Sequence, residues 1–276
     1  MLDPYFQHAK NRRLKAIRNT IYWHLIEKKL INSADGIFFT CDEELQLAKT
    51  TFRGYQPKKT YNIGYGIKLP PEFTKEQKTA FEHLCPAISG KKYFLFLSRI
   101  HEKKGIDLLV EAYKTITEKL HKPEIDIPLL VIVGPGLDSD YGRVIVDKVK
   151  SNNKLRQAVF FLGMLEGDAK WGAFYGCEAF VLPSHQENFG IAVAEALACS
   201  KPVLISNKVN IWQEIETGKA GIITNDDLEG TISSLSQWLN LSQNEQEQMG
   251  RAAFNTYKSH FTAKATSFKF IEVLKK

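Results

Sequence analysis

The run Val181-Leu-Pro-Ser-His-Gln-Glu-Asn-Phe-Gly-Ile-Ala-Val-Ala-Glu-Ala-Leu-Ala-Cys199 reads as a strand end, a polar turn and then a helix. Glu187 falls in the turn and Glu195 eight residues on, inside the helix. Phe189 and Gly190 open that helix in this reading, so its first backbone N–H groups point out of the turn and form an anion site. Two carboxylates flanking such a site suit a ligand that is part phosphate and part polyol. Helix rise puts them about 12 Å apart, too far for a retaining glycosidase pair, which needs roughly 5 Å.

The surrounding pattern is regular. Apolar runs at Tyr93–Leu97, Leu129–Val133, Val159–Leu162, Ala179–Leu182 and Pro202–Ile205, with a weaker one at Ala220–Thr224, read as strands buried on both faces. Helical stretches alternate with them: Ile106–Leu120, Asp140–Asn152, Asp168–Tyr175, Ile191–Ala198 and Ile211–Glu216. The alternation predicts an α/β fold with a doubly wound parallel sheet. Ligands of such sheets bind beyond the carboxyl ends of the strands, which selects loops 98–105, 134–139, 163–168, 183–190 and 206–210. Helices are further predicted at 227–240, 244–260 and 264–275.

Upstream the chain is less regular. Leu14, Ile17, Ile21, Leu25, Ile26 and Leu30 recur at helical spacing over 11–31, among Arg12, Arg13, Lys15, Arg18, Lys28 and Lys29. Two readings stand: a surface helix packed on a sheet, or a basic, aromatic-bearing helix touching a membrane surface. A short strand follows at Ile37–Thr40 and a helix from Asp42 to Lys49. Residues 53–92 read as a linker holding a strand near Thr60–Ile63 and a helix near Lys75–Leu84. An α/β domain whose first strand comes so late reads as incomplete.

Composition narrows the class. Among 276 residues, 43% are hydrophobic and 25% charged, ordinary for a globular chain with a large core. The net charge of +6 is compatible with nucleotides, phosphates or anionic lipid, but too diffuse to argue for nucleic acid. Its densest basic run is His8 to Lys15. Cys41, Cys85, Cys177 and Cys199 match no common zinc spacing, and reduced thiols in a cytoplasmic protein are the plain reading. Neither a signal peptide nor an apolar run of spanning length is present in the sequence.

Of the loop residues, Arg99 and Lys104 stand out: a planar donor fork and a flexible ammonium, both suited to phosphate oxygens. Gly134-Pro-Gly136 allows a ligand close to the backbone but lacks the spacing of a dinucleotide fingerprint. Asp138-Ser-Asp140 superficially matches a metal motif, although Asp140 can equally cap the next helix.

In order and spacing, Ser98-Arg99 with Lys104-Gly105, Val131–Gly136, Val159–Gly163, the E-x7-E of Val181–Cys199, Lys201–Leu204 and Glu214-Ile215 with Gly218 and Gly221 resemble the retaining GT-B glycosyltransferases of family 4, the glycosyl transferases group 1. The resemblance covers residues 90–225 and implies a Rossmann-like domain at 66–260 that holds a nucleotide-diphosphate sugar. It further implies a partial Rossmann-like, acceptor-side domain at 1–65 and a helix at 261–276 returning toward it. By position, Arg99 and Lys104 would bind the diphosphate, and Glu187 the donor sugar. The amides of Asn188, Phe189, Gly190 and Ile191 would meet phosphate or sugar, and Glu195 the ribose, with Gly134 beside the donor and Met164 and Leu165 where the base would sit. The implied reaction is sugar transfer with retention to a glycan or lipid-linked acceptor. It needs no metal or other cofactor, and places the protein in the cytoplasm, peripheral to the inner membrane face. The alternative is a truncated, non-catalytic nucleotide-sugar-binding module.

Overall fold

A computed structural model describes Leu2, Pro4 and residues 13–119 and 126–275. The basic residues His8 to Arg12, the first two positions of the predicted 11–31 helix and Leu120 lie outside the described residues. The chain divides into two compact units: Met1–Gly66 with His260–Lys276, and Ile67–Ser259.

The larger unit contains strands β3 (Tyr93–Leu97), β4 (Leu129–Val133), β5 (Val159–Phe161), β6 (Ala179–Leu182), β7 (Val203–Ser206) and β8 (Gly221–Thr224). All pair in parallel, in the order β5-β4-β3-β6-β7-β8. β3 leads both directions of winding, so the strand order reverses between β3 and β6, where a doubly wound sheet opens its crevice. Residues of β3, β4, β6 and β7 are nearly all buried, which is why these strands read as unbroken apolar runs.

Helices α4 (Lys75–Leu84), α5 (Ile106–Lys119), α6 (Asp140–Lys150), α7 (Asn153–Ala158), α8 (Gly167–Gly176), α9 (Ile191–Ala198), α10 (Trp212–Thr217), α11 (Leu228–Asn240) and α12 (Gln243–Thr256) complete this unit. α7 was not anticipated: the expected 140–152 helix ends at Lys150, and Asn152 starts a new one by accepting from the amides of Lys154 and Leu155. Asp140 is not the cap of α6; the Ser139 hydroxyl takes that role, accepting from Gly142 N at 3.0 Å.

In the smaller unit, β1 (Ile37–Phe39) and β2 (Thr60–Asn62) form a two-stranded parallel sheet beside α3 (Asp42–Thr51). α1 (Arg13–Tyr22) and α2 (Lys28–Ser33) are joined by a π-helical turn, Trp23–Glu27. The last helix, α13 (Ala263–Leu274), belongs to the same unit, and Phe270 meets Phe38 edge-on at 5.2 Å. The packed-helix reading of 11–31 is corrected here. Its apolar stripe faces outward: Leu14 is 84% exposed and Leu25 76%, with Ile17, Ile21, Ile26 and Leu30 all more than half exposed. The buried anchor is Trp23, stacked on Phe52 at 4.8 Å and donating Nε1–H to the Arg53 carbonyl at 3.3 Å. No helix among the described residues is long and apolar enough to cross a membrane.

Candidate functional site

Two loops leave the sheet at the point of strand-order reversal, 98–105 after β3 and 183–190 after β6. They are held together by backbone. His185 N donates to the Lys103 carbonyl at 2.8 Å, and the Ser184 hydroxyl lies 2.8 Å from the same oxygen. Gly105 allows this approach: its φ is +63°, and an added Cβ would lie 2.0 Å from the Pro183 carbonyl oxygen. Gly134, at φ +142°, does the same on the other side, where a Cβ would lie 1.8 Å from Ser98 O. Gly134 N also donates to Gly163 O at 2.7 Å, tying the loops after β4 and β5.

The first carboxylate is set by backbone on both sides. Glu187 forms a parallel bridge with Val209, its N–H donating to Lys208 O at 2.9 Å and its carbonyl accepting from Asn210 N at 3.0 Å. The expected polar turn is therefore, at Glu187, an extended segment stitched to the loop after β7. Lys104, buried at the end of a single 3-10 turn (Glu102–Lys104), pairs its ammonium with Glu187 Oε2. The presumed diphosphate ligand and the presumed sugar ligand thus touch one another. Asn188 Oδ1 lies 3.5 Å from Asn210 Nδ2.

Gly190 is the N-cap of α9, with φ +82° and no side-chain capping bond. The helix starts at Ile191, so Phe189 and Gly190 precede it and do not open it. Phe189 is buried, whereas Ile191, in the first turn, is 52% exposed. Glu195 is the sole charged residue of α9, and its side chain is only 15% exposed. It is paired with Lys170 of α8, Nζ to Oε1 at 2.6 Å. Lys170 also lies over the Trp171 ring at 4.7 Å.

The remaining positions are less closely joined. Arg99 is exposed, and no hydrogen bond or ion pair engages its guanidinium among the described residues; its neighbour Ile100 is fixed by N–H donation to Pro135 O at 2.8 Å. Met164 is exposed and Leu165 buried, in the loop after the edge strand β5. Sequence reasoning missed Lys170 and the Asp226 carboxylate, which sits 2.9 Å from His185 Nδ1. Neither residue lies in a recognisable local pattern, since both pairings are tertiary. Cys199, at the C-terminal end of α9, is buried, and burial pushes its thiol up to about 12.

The arrangement can bind an anion beside hydroxyl groups: a charged pair at the strand-order reversal, a helix N-terminus with a glycine cap, and a second carboxylate one turn further along. The family model described as glycosyl transferases group 1 matches residues 85–256, more than half of the chain. An uncharacterized glycosyltransferase of Methanocaldococcus jannaschii is 28% identical over 197 residues, 71% of this chain and 45% of that protein. A glycogen synthase of Mycobacterium tuberculosis is 27% identical over 201 residues, 72% of this chain and 44% of that protein. The chain thus spans less than half the length of these relatives. Among solved structures, Anabaena HepE in complex with UDP and glucose superposes with a TM-score of 0.77 at 16% identity, covering 100% of this chain and 70% of that one, a likeness of fold.

Proposed function

The chain belongs to the glycosyl transferases group 1 family, and from that premise we propose that it transfers a sugar from a nucleotide-diphosphate sugar, with retention of configuration, to a glycan or lipid-linked acceptor. The observation that carries this reading is the Lys104–Glu187 pair, which spans the two loops at the strand-order reversal. A lysine and a carboxylate side by side match the two halves of a glycosyl phosphate: ammonium to phosphate oxygen, carboxylate to sugar hydroxyl. Arg99 supplies a second cation from the same loop, and the amides around Gly190 and Ile191 supply fixed dipoles. Both would stabilise charge on the departing diphosphate. Glu195 takes the ribose, and the Met164–Leu165 loop takes the base.

Arg99→Ala and Glu195→Ala are expected each to weaken UDP binding about 10- to 100-fold, the worth of one charge-assisted hydrogen bond. Titration calorimetry on the full chain reads this, and unchanged affinity in both variants would remove the site. The M. tuberculosis relative is named a glycogen synthase and the Anabaena structure holds UDP and glucose, so UDP-glucose is the first donor to assay.

The family match lies within the larger unit, which favours a second reading, a donor-binding module without transfer. Release of UDP from UDP-glucose by the purified chain, above the rate of a Glu187→Gln variant, defeats that second reading. The outward apolar stripe Leu14, Ile17, Ile21 and Leu25, with exposed Lys15, Arg18 and Lys29, supports contact with an anionic lipid surface that would carry a lipid-linked acceptor.

A further inference from the structure

Glu195 stands on an awkward support. The other residues of Ile191–Ala198 are alanine, valine, leucine and isoleucine, and five of them are buried. A carboxylate set into such a helix loses much of its hydration, and an isolated one is costly. Among the described residues one counter-charge is paired with it, and it comes from another element: Lys170 of α8, whose Nζ lies 2.6 Å from Glu195 Oε1. The two side chains are 24% and 15% exposed, so solvent screens the pair weakly. Lys170 is itself steered, since its ammonium lies over the Trp171 face at 4.7 Å.

One Glu195 oxygen is thereby engaged and the other is left to accept. Lys170 has three donors, of which Glu195 takes one. We propose that Lys170 is the positioning residue of the ribose subsite: it fixes the rotamer of Glu195, so that Oε2 meets the ribose hydroxyls. This rests on the reading of Glu195 as the ribose ligand. It assigns a role to α8, a helix that precedes β6 and carries none of the residues expected from sequence to touch the donor.

The test compares UDP with its 2′,3′-dideoxy analogue by titration calorimetry on the 276-residue chain. Lys170→Ala is expected to weaken UDP about 10-fold, the worth of roughly one charge-assisted hydrogen bond, and to leave the dideoxy analogue bound as by the unaltered chain. Lys170→Arg, which keeps the charge, is expected to recover most of the loss. The Lys170→Ala/Glu195→Ala double variant is expected to bind UDP no worse than Glu195→Ala alone, because the two residues act as one unit. Equal weakening of both nucleotides by Lys170→Ala would mark the lysine as merely structural and overturn the proposal. So would full-strength UDP binding by Lys170→Ala while Glu195→Ala weakens UDP and leaves the dideoxy analogue unaffected. If Glu195→Ala leaves UDP binding unchanged, or weakens both nucleotides equally, the ribose assignment itself falls, and the role of Lys170 falls with it.

Discussion

Single positions at the carboxyl ends of the strands carry steric demands that can be ranked. Gly134 and Gly163 both have positive φ, but a Cβ on Gly134 would lie 1.8 Å from Ser98 O, whereas one on Gly163 meets nothing within 4 Å. Gly163→Ala is therefore expected to cost about 1 kcal/mol, the strain of the backbone alone. Gly134→Ala is expected to cost about 3 kcal/mol or more, because the loop bearing Arg99 must move. Urea denaturation of the two variants measures the difference, and equal midpoints would refute the close approach. A close approach at Gly134 was legible in Gly134-Pro-Gly136, but it reads there as room for a ligand, whereas the group that comes close is Ser98 O. The partner of Glu195 was not: Lys170 is separated from it by a strand and two loops, and local pattern says nothing about which charges a fold brings together.

At the level of elements, the sheet was nearly transparent because strands buried on both faces leave uninterrupted apolar runs. α1 was not. Periodicity identifies an apolar stripe but does not say which side faces inward. Here one aromatic side chain off the stripe, Trp23 of the π-helical turn, outweighs the six aliphatic ones on it, through its stacking on Phe52 and its hydrogen bond to Arg53 O. Trp23→Ala is expected to cost about 3–5 kcal/mol and Leu14→Ala less than about 0.5 kcal/mol. Hydrophobic periodicity alone would rank them the other way, so chemical denaturation of this pair tests the orientation of the helix directly. A Leu14→Ala loss above that of Trp23→Ala would refute the arrangement.

Across the whole molecule, exposed aliphatic side chains on α1 coexist with exposed Lys15, Arg18 and Lys29. The chain is expected to float with vesicles containing phosphatidylglycerol and not with pure phosphatidylcholine. Binding should fall severalfold between 50 mM and 500 mM salt, as screening shortens the reach of the lysines to roughly 4 Å. Replacing Leu14, Ile17, Ile21 and Leu25 together by serine should abolish flotation; vesicle binding unaffected by that change would exclude the stripe on α1 and the following π-helical turn as the contact. The strand order has a kinetic consequence as well. Pairing of Phe94 with Ala179 and Leu95 with Phe180 joins positions about 85 residues apart in sequence, and closing so long a loop costs entropy before any contact repays it. Lys104 and Glu187 stand on opposite sides of that closure. During refolding, nucleotide binding is therefore expected to appear no earlier than the pairing of β6 with β3, which stopped-flow nucleotide binding compared with the helical circular-dichroism signal checks.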